Sequence, residues 1–139
     1  MRLWLVDTGP LVAYLDGSDP AHADVVARME TFTGRLATTS SVVTEAMHFV
    51  AQAPEGPRLL ADLLVACDAE VLDFTDPAGL PDAVSLMEKY ANVPMDFADA
   101  TLMLLAEGLG ALDVLTLDRR GFATFRTRKG RALRLVLDR

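Results

Sequence analysis

Leu3-Trp4-Leu5-Val6 runs straight into Asp7, and far downstream Val114-Leu115-Thr116-Leu117 runs straight into Asp118. Short aliphatic runs closed by a polar residue are the pattern of buried parallel strands, which require a sheet covered on both faces. In an open α/β sheet, ligands sit in the crevice outside the carboxyl ends of the strands, so both aspartates point at one site. Two more carboxylates lie between them in helical surroundings: Glu45 in Ser41-Val42-Val43-Thr44-Glu45-Ala46, and Asp99 in Met95-Asp96-Phe97-Ala98-Asp99-Ala100. Brought together, these acids form a cage for a hard divalent cation.

The rest of the chain alternates in the same way. Thr8 is placed to N-cap a helix through Leu15, and Asp16-Gly17-Ser18-Asp19-Pro20 is a turn before a helix over about 20–33. A weak strand at 35–38 and helices over about 41–53 and 57–67 follow, then a strand at 70–74. Asp76-Pro77 opens a helix to about residue 91, and Asp96 opens another that runs through Ala100 to Leu109 and is stopped by Gly108 and Gly110. A strand at 114–117, a turn around 119–122 and a last strand at 133–137 end the chain. Strands alternating with helices predict an α/β fold of three layers, α/β/α, around a central, mostly parallel sheet.

With 139 residues, 51% of them hydrophobic, the chain reads as one compact domain with a proper core. No apolar stretch approaches the roughly 20 residues of a membrane span, and the N-terminal run is too short for a signal peptide. The expectation is a soluble, cytoplasmic protein with no membrane partner. The single cysteine, Cys67, precludes an internal disulfide and reads as a small core residue. With only His22 and His48, no Ser-His-Asp or Cys-His set has its parts, and no P-loop or dinucleotide fingerprint is present. An all-carboxylate site suits Mg²⁺ or Mn²⁺ rather than zinc.

Each acid has an ordinary alternative. Asp7 could cap the following helix, although Thr8 is available for that. Glu45 has Val42, not Ser or Thr, three residues before it, so it is not half of a capping box; it lies beside Val42, Val43, Ala46 and Val50, at the core edge. Asp96 follows Pro94 as a natural N-cap, and Asp99 shares its side of the first turn, where both complement the helix dipole. Yet the apolar run from Ala100 to Ala106 buries that helix nearly all round, which turns Asp99 toward an internal cleft. Asp118 could pair with Arg119 or Arg120, though neighbours in sequence rarely face each other.

Charge is distributed unevenly. Residues 119–139 hold Arg119, Arg120, Arg126, Arg128, Lys129, Arg131, Arg134 and Arg139 against Asp138 alone, whereas residues 1–118 carry a net charge of −14. A basic end beside an acidic body is either a patch for a polyanion or a solvated C-terminal hairpin. As a patch it would hold phosphates flanking the site, giving affinity without sequence choice.

The strings Leu5-Val6-Asp7-Thr8-Gly9-Pro10-Leu11, Ser40-Ser41-Val42-Val43-Thr44-Glu45, Pro94-Met95-Asp96-Phe97-Ala98-Asp99-Ala100 and Leu115-Thr116-Leu117-Asp118-Arg119-Arg120-Gly121-Phe122 resemble, in order and spacing, the successive motifs of the PIN-domain family. The resemblance covers most of the chain. It implies a PIN-like fold over residues 1–139 and an endoribonuclease dependent on Mg²⁺ or Mn²⁺, specifically a toxin of the VapC type. Asp7, Glu45, Asp99 and Asp118 match the acidic quartet, Asp96 an additional acid, and Thr8 the hydroxyl beside the first aspartate. Hydrolysis of this kind leaves 5′-phosphate and 3′-hydroxyl ends. Homodimers and a small antitoxin partner are also implied, the antitoxin lying in a hydrophobic groove near the early helices. The apolar sides of helices 8–15 and 41–53 are candidates for that groove or for core. Gly121 departs from the pattern, standing where relatives carry a further acid or Asn, and it leaves the number of ions, one or two, open.

Three other readings remain at this stage. An RNA-processing PIN nuclease outside any toxin–antitoxin pair would share every motif, and a non-catalytic PIN-like scaffold would be expected to have lost some of the acids. A phosphatase using an aspartyl nucleophile would want a second Asp two residues after Asp7, where Gly9 stands.

Overall fold

The computed structural model describes residues 2–73 and 76–138. Among them, β1 (Leu3–Val6), β2 (Arg35–Thr39), β3 (Glu70–Leu72), β4 (Asp113–Leu115) and β5 (Arg134–Leu135) form one sheet in the order β3-β2-β1-β4-β5, and every pairing is parallel. Helices α1 (Thr8–Leu15), α2 (His22–Thr31), α3 (Ser40–Val50), α4 (Gly56–Ala66), α5 (Gly79–Lys89), α6 (Phe97–Leu109) and α7 (Arg119–Thr124) cover the sheet. The result is the expected three-layer α/β/α architecture. No described helix is long and apolar enough to cross a membrane.

β1 lies in the middle of the sheet, and the chain winds outward from it in both directions: β2 and β3 to one side, β4 and β5 to the other. The crevice between the carboxyl ends of β1 and β4 is therefore the topological switch point, where α/β sheets open a cleft. Val6 stands level with Leu115, and the Asp7 N–H donates to the Leu115 carbonyl at 3.0 Å. This register sets Asp7 beside Thr116.

The core is formed by both strand faces together with Leu11, Val42, Leu60, Leu102, Met103, Phe122 and Phe125, all essentially without solvent exposure. Thr39 ends β2 and caps α3 by accepting from the Val42 N–H, while its hydroxyl meets that of Thr101 on α6 at 2.8 Å. That buried pair anchors the helices carrying Glu45 and Asp99 to each other.

Five local expectations are corrected. Asp7, not Thr8, is the residue preceding α1, and Thr8 is its first helical residue. The expected turn at 119–122 is helix α7, because Asp118 caps it through the Gly121 N–H and because Phe122 and Phe125 bury their rings, edge to face with each other. The last strand is only Arg134–Leu135, since its ladder with the three-residue β4 runs out; the chain then continues as a 3-10 turn over Val136–Asp138. Residues 126–132 do fold back through an antiparallel Arg126–Ala132 bridge, but β5 then joins β4 in parallel, so the C-terminus is not a simple hairpin. Strand 70–74 is observed as Glu70–Leu72, and Phe74 lies outside the described residues.

Most of the apolar surface of α1 and α3 is core. Leu11, Ala13, Val42, Ala46 and Val50 are buried, and among the large apolar side chains of these helices only Phe49 is mostly exposed, at 60%.

Candidate active site

At the switch point, Asp7, Thr8, Glu45, Asp96, Asp99 and Asp118 line a single cavity of about 510 Å³. The sheet register supplies Asp7 and Asp118, the first turn of α6 supplies Asp96 and Asp99, and the middle of α3 supplies Glu45. Asp19, from the turn after α1, also lines the cavity and accepts a hydrogen bond from the Ala21 N–H. Sequence reasoning missed it because an Asp before Pro in a turn reads as turn chemistry alone.

Asp7 is the anchor. It is only 7% exposed, and its Oδ2 accepts a 2.7 Å hydrogen bond from the Thr116 hydroxyl. The same hydroxyl accepts from the Asp118 N–H at 3.0 Å, so one buried residue orients both strand-end acids. Within an otherwise apolar run ahead of Asp118, Thr116 was visible as an out-of-place hydroxyl. Burial pushes the Asp7 pKa up to about 6 despite the opposing hydrogen bonds of Thr116 and the Thr8 backbone, and the Glu45 and Asp118 charges raise it further. Removing the hydroxyl in Thr116→Val would leave the Asp7 oxygen and the Asp118 N–H without their partner. The expected result is a loss of about 1–3 kcal/mol of stability and a 10–100-fold loss in Mn²⁺ affinity, both largely retained in Thr116→Ser. Denaturant unfolding and a Mn²⁺ titration of the two variants check this.

Asp96 and Asp99 form the cap and also line the cavity. Asp96 Oδ1 accepts from the Asp99 N–H at 2.8 Å, and Asp99 Oδ2 accepts from the Asp96 N–H at 3.2 Å, a reciprocal cap that holds both carboxylates at the cavity wall. Burial and then the Asp96 and Asp7 charges push Asp99 up to about 8. Glu45 is raised too, by burial and the Asp96 charge, with the Thr8 hydroxyl opposing. That hydroxyl is itself buried and makes no full hydrogen bond. Asp118 is held by the Gly121 N–H at 3.0 Å. A Cβ at position 121 would collide with its carboxylate, so the glycine is what allows Asp118 to fold back onto α7.

All the candidate donors are oxygens, which fits a hard divalent ion. An unsatisfied buried hydroxyl and carboxyl groups whose charged forms are disfavoured by burial and then by one another's charge are what such an ion would relieve. As placed, no three Asp, Glu, His or Cys side chains among the described residues converge in ligating geometry.

Four arginines of the basic end are engaged elsewhere. Arg119 pairs with Asp138, and Arg126 donates to the carbonyls of Ala123, Thr124 and Phe125 at the end of α7. Arg128 clamps Glu107 and Asp82, and Arg134 grips Asp113. Arg120 and Lys129 are exposed and make no ion pair among the described residues. None of Arg119, Arg120, Arg126, Arg128 and Lys129 lines the carboxylate cavity.

The PIN domain family matches residues 4–127. The chain belongs to the PIN-domain family. Within that family it is 32% identical over 123 residues to Ribonuclease VapC26 of Mycobacterium tuberculosis, an alignment that covers 88% of this chain and 91% of the relative. The crystal structure of Mycobacterium tuberculosis VapC20, a Sarcin-Ricin loop cleaving toxin, superposes on this PIN domain with a TM-score of 0.71. That likeness, at 15% identity, covers 81% of this chain and 87% of the other and concerns the fold alone. β5 lies beyond the matched residues.

Proposed function

We propose that this PIN domain, residues 1–139 as a single unit, is an endoribonuclease of the VapC type, dependent on Mg²⁺ or Mn²⁺ and acting in the cytoplasm as the toxin of a toxin–antitoxin pair. The observation that carries the reading is the lining of one switch-point cavity by Asp7, Glu45, Asp96, Asp99 and Asp118, with Asp7 and Asp118 oriented through a shared buried hydroxyl. The ribonuclease relative, which aligns over nearly its whole length, supports the chemistry.

Asp7 and Asp99 would hold the ion first, directly or through water, with Asp96 beside them and Glu45 and Asp118 orienting water or a second ion. Once bound, the ion supplies charge neutralisation, a grip on a phosphate oxygen and a lowered pKa for water. The protein's own contributions are separable from this. Thr116 keeps Asp7 aimed into the cavity, and the Asp96–Asp99 cap holds Asp99 there. Glu45, whose carboxyl is raised by burial and the Asp96 charge, lines the same cavity and in its ionised form can take a proton from the attacking water. As water adds to phosphorus, the P–O3′ bond breaks and a proton goes to the leaving 3′ oxygen, giving 5′-phosphate and 3′-hydroxyl ends. Arg120, Lys129 and Arg131, exposed and in no ion pair among the described residues, would meet flanking phosphates. A homodimer and a small antitoxin complete the proposed assembly.

The test is incubation of the purified protein with end-labelled single-stranded RNA in Mn²⁺ or in EDTA. Cleavage confined to the Mn²⁺ sample, with fragments bearing 5′-phosphates, is expected. Cleavage undiminished by EDTA, or 2′,3′-cyclic ends, would remove the metal-dependent reading.

A further inference from the structure

Phe49 sits one helical turn after Glu45 on α3, so the two side chains share a face. It is 60% exposed, yet it lines the same cavity as the carboxylates. The His48 ring stands edge-on to it, with centroids 5.9 Å apart and planes at 66°. His48 in turn lines an adjoining cavity of about 570 Å³ that shares Glu45 and Asp96 with the first. The acidic cluster thus opens along α3 onto a surface bearing an aromatic ring, and among the described residues no Lys or Arg lines either cavity.

That composition limits how a nucleic acid can be held. The body is strongly acidic, and Arg119, Arg126, Arg128 and Arg134 are committed to internal partners, so few phosphate contacts are available. Uncharged contacts must then add to the few phosphate contacts that Arg120, Lys129 and Arg131 can make. A flat aromatic face offers them to a nucleobase, because every base has a π-face, but only when that base is unpaired and can leave its stack.

We propose that Phe49, with the His48 ring beside it, is a stacking platform for an unpaired nucleobase adjoining the phosphate held at the carboxylate cavity, so that the substrate is single-stranded or looped RNA at that position. This rests on the ribonuclease reading above. Phe49 is a binding residue, and the carboxylates alone do the chemistry.

The experiment measures binding of a short single-stranded RNA of mixed sequence carrying 2-aminopurine, and of the same RNA annealed to its complement, to protein with its carboxylates intact, in Ca²⁺ in place of Mn²⁺ and with the RNA checked on a gel for cleavage. Phe49→Ala or Phe49→Leu is expected to weaken single-strand binding by about 5- to 100-fold, while Phe49→Trp retains it and quenches 2-aminopurine. The duplex should bind poorly to all of them. Light scattering records the particle mass of each variant. Equal binding by the Ala variant, or full recovery by Leu, overturns the platform while leaving the nuclease assignment intact. A change in particle mass that accounts for the binding loss also overturns it, and places Phe49 at an interface between copies of the chain. If wild type neither binds nor cleaves RNA, the ribonuclease reading falls and this inference with it.

Discussion

Asp7→Asn is expected to fold at least as well as wild type and to cleave RNA on the order of a thousandfold more slowly, the scale on which removing a group that stabilises developing charge acts. Asparagine has the same shape and can still accept the Thr116 hydroxyl through its own oxygen, so the register between the ends of β1 and β4 survives. It lacks the negative charge a divalent ion requires. In the metal-free protein at neutral pH that charge is a cost, because a carboxylate so deeply buried ionises only near pH 6. Its removal should therefore raise stability in EDTA by about 1–3 kcal/mol, while the stabilisation that Mn²⁺ adds to wild type is lost. Cleavage assays and thermal unfolding in EDTA and in Mn²⁺ read both effects on one preparation. Wild-type cleavage by the variant would remove Asp7 from the site.

Stability in EDTA is expected to fall as pH rises from about 4 to about 8. The sign follows from proton counting. Asp7 and Asp99 have folded-state pKa values of about 6 and about 8 against an ordinary value of 3.8, and Glu45 is raised as well. The folded state then binds more protons than the unfolded chain. The contribution is fully present below the unfolded pKa values and is lost as pH passes through the folded ones. A divalent ion reverses the trend. It binds the native cluster and not the dispersed acids, adding roughly 2–3 kcal/mol at a hundredfold excess over its dissociation constant, and it releases protons on binding at pH 7. Asp99→Asn should flatten the slope above pH 6 and lose most of the Mn²⁺-induced rise in Tm, while keeping an oxygen for the Asp96 N–H. Thermal unfolding across pH at fixed ionic strength, with Ca²⁺ as a check on general divalent effects, measures this. If Asp99→Asn melts well below wild type in EDTA yet responds fully to Mn²⁺, then Asp99 is a cap partner and not a ligand.

The strand-end acids were legible because their signal is local: an apolar run, then a carboxylate. Asp96 was legible for the same reason, as Pro94 and the following helix mark it as a cap. Helix α7 was not. It is only six residues long and contains Gly121, so propensity alone does not predict it; the Asp118 cap and the burial of Phe122 and Phe125 stabilise it. The basic end left two readings open. Clustered arginines suggest a free patch, yet Arg128 reaches Glu107 and Asp82 on two other helices, and no sequence pattern reveals partners so far apart. Phe49 carries no sequence signal that sets it apart from the other apolar residues of α3, and its exposure depends on which face α3 turns to the sheet.

The sequence by itself determined the alternation of strands and helices, the all-oxygen donor set and the resemblance to the PIN family, because hydrophobic periodicity, capping residues and residue types act over a few neighbours at most. Only the tertiary structure decided that β1 and β4 pair in the register that sets Thr116 between Asp7 and Asp118, and that carboxylates from α3 and α6 face the same cavity. It also decided which cations neutralise the body's own acids. Those outcomes depend on distances between groups remote along the chain, set when burial of the shared core positions whole elements against one another, and desolvation at that point is what turns ordinary carboxylates into groups with raised pKa values.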